Sequence, residues 1–284
     1  MNPVRLFEEE MEGWLNVKHV RMVCNGTAAL HSAIIASGVK PGDVVVTTPY
    51  TFPATANAII MAGAYPLFVD VNKDLTLDMA QVEDALTGKY GLRVKCVIPV
   101  HIFGEACDMS MLQDLRDLYG FIIVEDASQA VGRTIDVVAE DYEQMLTKKA
   151  LGTFGDAGTM SFYASKNLSC FEGGAVVTDS DSIALAVEQI RNHGLQDGLM
   201  VRFGYNYKMS WINAFIGWQN LKLHKPGILA ELGRYTWRDG YYPKLVYQHP
   251  WYEDKRGWYW DRLKCPVAEE ACTRVVSKVP KERI

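Results

Sequence analysis

The chain has 284 residues, 49% hydrophobic and 22% charged, enough for one large domain or two smaller ones. Its formal charge of −5 leaves no basic footprint for nucleic acid, and no apolar run is long enough to span a bilayer. Six cysteines without a C-x-x-C pair read as reduced thiols, and the acidic, amphipathic N-terminus is unlike a signal peptide, so a cytoplasmic protein is expected.

Val4, Phe7, Met11 and Trp14 recur at helical spacing, and Lys18–Cys24 reads as a short strand. The turn Asn25-Gly26-Thr27 then opens a helical pattern over Thr27–Ser37 that Gly38 closes. Strand, glycine turn and helix in that order aim free backbone N–H groups at whatever lies above the turn, which is a phosphate-binding geometry, although glycine is also common at plain β–α junctions. Asp43–Thr48 is a predicted strand. The stiff aromatic loop Pro49–Pro53 follows, then a helix through Ala62 and a strand at Tyr65–Val71. A helix is expected over Asp78–Leu86, with Thr76 or Asp78 as its N-cap. Lys95–Val100 is a strand, Asp108–Tyr119 a helix stopped by Gly120, and Phe121–Glu125 an apolar strand. This alternation predicts an α/β fold with a mainly parallel central sheet covered by helices on both faces.

Phe121–Val124 delivers Glu125 and Asp126 at its C-terminal end, the edge of an open α/β sheet where ligands bind. An acid there suits a metal ion, a ribose or a ring nitrogen, or it caps the next helix. Ile135–Lys149 reads as an exposed helical insertion. Between Gly158 and Asp179 two strand-like flanks enclose a polar loop carrying Lys166, and Gly173-Gly174 lets the chain turn sharply or approach a bound group closely. A surface lysine is the plain reading. A lysine between two strands is also placed to form a Schiff base with a carbonyl compound, because burial lowers its pKa and frees the amine. Asp181–Asn192 and Trp211–Leu223 are predicted helices. From Lys225 onward the chain is rich in Trp, Tyr and Pro without clean periodicity, and Trp237, Trp251, Trp258 and Trp260 read as packing residues.

A phosphate-type turn at Gly26-Thr27, an aromatic at Phe52, an acid at Asp126 and a lysine at Lys166 together match what pyridoxal 5'-phosphate needs: a helix N-terminus for the phosphate, an aromatic face for the ring, a carboxylate for the ring nitrogen and an amine for the aldehyde. The segments NGTAAL (25–30), TFPATANAI (51–59), PVHIFG (99–104), VEDASQAVG (124–132), SFYASKNL with EGGAVVT (161–178), RNHG (191–194) and GYNYKM (204–209) resemble, in order, those of the DegT/DnrJ/EryC1/StrS sugar aminotransferases, and CPVAEEA (265–271) adds a distant eighth. The resemblance implies a type I PLP-dependent transferase fold. It places the cofactor phosphate on Gly26, Thr27, Ala28 and Ser161, Phe52 on the ring, Asp126 on the ring nitrogen, Gln129 on the ring hydroxyl and Lys166 on the aldehyde. It puts Asn206 on the phosphate of a neighbouring subunit, hence a homodimer with sites at the interface. Lysine at 166, where a related dehydratase branch carries histidine, implies transamination.

The chain departs from the family pattern in starting late, in a longer stretch between Asp126 and Lys166, in Lys208 where arginine is common, and in a short C-terminus. A large domain over 1–224 and a shortened small domain over 225–284 are therefore expected. The function implied is transfer of an amino group, with glutamate as donor, to a nucleotide-linked keto sugar in amino-sugar biosynthesis; no metal, nucleic acid or membrane takes part. The alternatives are a keto-cyclitol acceptor and a non-catalytic or regulatory homologue that still binds the cofactor. The early turn lacks G-x-G-x-x-G spacing, which disfavours a dinucleotide-binding oxidoreductase.

Overall fold

A computed structural model describes residues 2–139, 142–223, 242–257 and 260–273. The chain opens with α1 (Pro3–Leu15), started by Asn2, whose side chain accepts the Val4 N–H. Then come β1 (His19–Val23), α2 (Gly26–Ala36), β2 (Val44–Thr47), α3 (Ala54–Met61), β3 (Tyr65–Phe68), α4 (Met79–Thr87) and β4 (Val94–Ile98). Asp78 is the N-cap of α4, accepting the Ala80 N–H, and Asp108 caps α5 (Met109–Tyr119), which ends on left-handed Gly120 as the sequence predicts. After β5 (Ile122–Asp126) come β6 (Thr134–Ala139), β7 (Tyr142–Ala150), β8 (Ala157–Ser161), β9 (Gly174–Thr178), α6 (Asp181–Arg191), α7 (Trp211–Leu223), β10 (Asp261–Arg262) and α8 (Pro266–Thr273).

Eight strands form one sheet in the order β1-β9-β8-β5-β4-β2-β3-β10. Every pair from β8 to β10 is parallel, while β9 runs antiparallel to both neighbours, so the sheet is mainly parallel with one reversed strand, next to the β1 edge. The pleat explains why these strands read as unbroken apolar runs. In β2, Val44 and Val46 face the layer of α4 and α5 with Leu112 and Leu115, while Val45 faces the layer of α2, α3 and α6 with Ile34, Ile59 and Val187. A third cluster packs α1 and α7 against β8 and β9 through Phe7, Met11, Phe162 and Leu221. Arg191, from the RNHG segment, is buried and donates to the Glu8 carboxylate of α1 and, at 2.7 Å, to the Met22 carbonyl, so it fastens α1 to α6.

The segment expected as a helix over Ile135–Lys149 is instead the antiparallel ribbon β6–β7, with Thr134 opposite Ala150 and a register shift at Val138. The decisive signal is the period-two pair Ile135 and Val137, which are half-buried against the core while Asp136 and Val138 point outward. The β-branched residues of β6 pair across the ribbon, and this outweighs the helix-forming Glu, Gln, Met and Leu of β7.

The aperiodic C-terminal stretch is held by specific side chains. Asp70 accepts the N–H groups of Val267 and Ala268 at 2.8 Å each, placing a carboxylate at the start of α8. Asp261, beside the sheet edge, accepts from Tyr90 Oη, Lys89 Nζ and Arg256 Nε. Burial disfavours its charge, but these donors and the Arg262 N–H hold its pKa well below the usual carboxylate range. Tyr242, Leu245, Val246, Trp260, Ala268 and Ala271 share a hydrophobic cluster with Tyr50, Phe68 and Phe103, and β10 forms the edge strand of the main sheet beside β3. Trp260 is buried and stacks on Tyr247 at 5.4 Å, whereas Trp251 is half-exposed against Tyr252; Trp237 and Trp258 lie outside the described residues.

Candidate active site

A cavity of about 480 Å³ opens at the carboxyl end of the parallel strands, and most of the sequence-predicted residues meet there. Asp126 ends β5 and is buried. Its Oδ2 accepts from Thr55 Oγ1 at 2.8 Å and its Oδ1 from the Ser128 N–H at 3.1 Å, so the carboxylate cannot swing away from the cavity. Thr55 lies 3.0 Å from Thr51 Oγ1, its neighbour four residues earlier. Lys166 sits in the turn after β8, where its N–H donates to the Tyr163 carbonyl at 2.9 Å. Among the described residues nothing hydrogen-bonds to its Nζ. Burial lowers the Lys166 pKa, and the nearby Asp126 carboxylate partly offsets the shift.

Across the cavity the first turn of α2 presents the amides of Gly26 and Thr27, which have no carbonyl within the helix to bond. Both glycine positions around this turn are sterically required. A Cβ on Gly26 would lie 2.8 Å from Ser161 Cβ, and one on Gly174 would lie 2.5 Å from the Asn25 carbonyl oxygen and 2.8 Å from Gly26 N. Gly174 thus serves close backbone approach, one of the two roles read from Gly173-Gly174; neither has a positive φ. Ser161, at the end of β8, brings its hydroxyl to the same turn. Ala28 differs from expectation. Its amide is already bonded to Asn25 Oδ1 at 2.8 Å and the residue does not line the cavity, so the helix cap consumes the third amide.

Phe52 is 62% exposed at the cavity rim. Gln129 is nearly buried, with Oε1 accepting the Phe103 N–H at 3.0 Å and Nε2 donating to Tyr242 Oη at 2.8 Å. Asn206 is exposed and lies outside this cavity. The sequence reading missed Thr51, Thr55, Glu172 and Tyr242 among the lining residues. The two threonines stand four apart at a helix start, a spacing that aligns their hydroxyls.

Behind the sheet, the neighbour of Asp126 does a different job. Glu125 is fully buried and its carboxylate accepts the N–H groups of Gly152, Phe154 and Gly155 at 2.6–2.8 Å. The His101 Nδ1 accepts the Cys107 N–H, so the ring proton sits on Nε2 and is donated to Glu125 at 2.8 Å. Among the described residues no cluster of three or more His, Cys, Asp or Glu side chains is placed to hold a metal ion, and all six cysteines are free thiols. No described helix is long and apolar enough to cross a membrane.

The donors present fit pyridoxal 5'-phosphate. A glycine turn with two open amides and a hydroxyl suits a phosphate, a fixed carboxylate suits a cationic ring nitrogen, and a lysine of lowered pKa suits an aldehyde. Among known proteins, a GDP-perosamine synthase of Vibrio cholerae is 36% identical over 214 residues, covering 74% of this chain and 54% of that protein. A DegT/DnrJ/EryC1/StrS aminotransferase from Brucella abortus superposes with a TM-score of 0.82 at 26% identity, covering 96% of this chain and 84% of that one. DesI, solved with its TDP-sugar product, gives a TM-score of 0.65 at 34% identity, with 78% and 52% covered. The chain spans about half the length of the curated relatives it matches. The fold is that of the PLP-dependent aminotransferases. Residues 2–225 match the DegT/DnrJ/EryC1/StrS aminotransferase family, and the chain belongs to it.

Proposed function

We propose that this chain carries the active site of a PLP-dependent aminotransferase that moves an amino group from glutamate to a nucleotide-linked keto sugar. The observation that carries the reading is the convergence, in one cavity, of a lysine of lowered pKa whose amine has no hydrogen bond among the described residues, a fixed carboxylate and a glycine-lined helix N-terminus. The sugar acceptor is supported by the relatives, which include a GDP-perosamine synthase and DesI with its TDP-sugar product.

Bound pyridoxal 5'-phosphate would supply an aldehyde and an electron-accepting ring. The Gly26 and Thr27 amides and the Ser161 hydroxyl would hold its phosphate. Phe52 would cover the ring, Gln129 would donate to the ring hydroxyl, and Asp126 would face the ring nitrogen and keep it protonated. Lys166 Nζ would hold the cofactor until a substrate amine displaces it. The freed amine would then take the substrate α-proton and deliver it back, acting as base and then acid. Its lowered pKa keeps a larger neutral fraction available for the first role.

The exposed position of Asn206, within a stretch where Leu199, Met200, Phe203, Trp211, Ile212 and Phe215 are all exposed, supports a homodimer. A second copy covering this surface would bring Asn206 to the phosphate of its partner. The composition fits a cytoplasmic enzyme.

The test is the visible absorption spectrum of the purified protein with added pyridoxal 5'-phosphate, followed by borohydride reduction and peptide mapping. A visible band and a reduced label on Lys166 are expected, both absent in Lys166→Ala. No band, or a label spread over surface lysines, would overturn the proposal.

A further inference from the structure

Tyr242 lies 17 residues beyond the last residue of the family match, yet it lines the Lys166 cavity. Its ring is buried, edge-on to Tyr50 at 5.4 Å and stacked on Phe103 at 6.5 Å. Its hydroxyl oxygen accepts Gln129 Nε2 at 2.8 Å.

Elementary donor and acceptor rules fix what this contact does. The Phe103 N–H is only a donor, so the Gln129 atom facing it at 3.0 Å must be the carbonyl Oε1. The amide nitrogen is thereby turned to the opposite side, where Tyr242 Oη takes one of its two hydrogens. The second is the donor that Gln129 can offer to a ligand in the cavity. Phe103 and Tyr242 also stack on each other, so the backbone and hydroxyl that hold the amide are set by one aromatic unit. Without the hydroxyl, the Nε2 end would lose its anchor, and of these two bonds only the one from the Phe103 N–H would be left to hold the amide plane.

We propose that Tyr242 is a positioning residue of the active site, whose hydroxyl locks the Gln129 amide with a donor aimed at the bound ligand. The inference rests on the cofactor reading above, in which that ligand is pyridoxal 5'-phosphate. It makes Tyr242, which lies beyond the family match, a working part of the cavity wall.

The experiment is a double-mutant cycle on the full chain, with wild type, Tyr242→Phe, Gln129→Leu and the double variant each titrated with pyridoxal 5'-phosphate. Affinity is read from the visible band, and melting temperatures are recorded without ligand. Tyr242→Phe keeps the ring among Tyr50 and Phe103 and removes only the hydroxyl. It is expected to weaken binding by about three- to tenfold, the effect of one hydrogen bond. The same change in the Gln129→Leu background is expected to have no further effect, because the group it acts through is gone. Wild-type affinity in Tyr242→Phe, a loss that adds fully to that of Gln129→Leu, or a lowered melting temperature with unchanged affinity would each overturn the assignment. A wild-type chain that binds no pyridoxal 5'-phosphate would overturn it together with the cofactor reading, whereas a binding wild type with an indifferent Tyr242→Phe overturns this inference alone.

Discussion

Gly174→Ala isolates the contribution of backbone approach to the active site. The new methyl carbon would lie 2.5 Å from the Asn25 carbonyl oxygen, 2.6 Å from the Asn25 carbonyl carbon and 2.8 Å from Gly26 N, where ordinary contact begins at 3.4 Å. None of these atoms belongs to a side chain that can rotate away, so either β9 or the Asn25–Gly26 turn must shift by up to about 0.9 Å. A phosphate oxygen held at about 2.9 Å by the Gly26 and Thr27 amides would move past hydrogen-bonding distance. One charge-assisted bond is worth about 1.5–3 kcal/mol, so affinity for pyridoxal 5'-phosphate should fall roughly ten- to hundredfold. Overpacking should cost about 1–3 kcal/mol of stability. Gly173→Ala is the control. Its methyl group would meet Cys170 Sγ at 2.5 Å and Met209 Cε at 2.6 Å, and these side-chain tips can yield. Cofactor titration of the two variants, with melting curves alongside, reads the difference. Equal affinities for Gly174→Ala and Gly173→Ala would refute the reasoning.

Three further predictions rest on single side chains. The Lys166 amine reacts only when neutral, and burial lowers its pKa. Modification of Lys166 in the cofactor-free protein should therefore reach half its maximal rate at a lower pH than modification of a lysine side chain in a short unstructured peptide. Asp126→Asn removes the carboxylate that raises this pKa and should move the Lys166 curve lower still; a wild-type Lys166 profile matching that of the peptide would contradict the first statement, and an unmoved curve in Asp126→Asn the second. Glu125→Gln replaces two acceptor oxygens by one and turns an amide donor toward backbone N–H groups that are themselves donors. It should cost about 3 kcal/mol or more and lower the melting temperature by roughly 6 °C or more. A melting temperature within 2 °C of the wild type would show that Glu125 does not hold the 152–155 loop.

The features legible in the sequence are those in which chemistry and local pattern coincide. Asp126 ends an apolar strand, Lys166 stands between two strands, and Gly26 opens a helix, so period and residue type point to the same edge of the sheet. The β6–β7 ribbon was not legible, because Tyr142–Ala150 is rich in helix formers and only its pairing with Ile135 and Val137 settles the matter. Ala28 was assigned to the phosphate because the sequence shows the turn but not that Asn25 takes the third amide. Tyr242 was out of reach for another reason. Its place in the cavity depends on Asp70 and Asp261 gathering an aperiodic stretch onto β3, and such long-range bonds leave no periodic trace.

Glu125 and Asp126 are chain neighbours, yet the pleat of β5 sends one carboxylate behind the sheet and the other into the cavity. Losses at these two adjacent codons should therefore sort into different phenotypes. Substitutions at 125 should deplete the protein from cells, while substitutions at 126 should leave it abundant and inert. Deleting one residue from the strand just before them would exchange the two positions, turning Glu125 toward the cavity and Asp126 toward the 152–155 loop. A deep mutational scan reporting abundance and activity separately would show this boundary running between two consecutive residues.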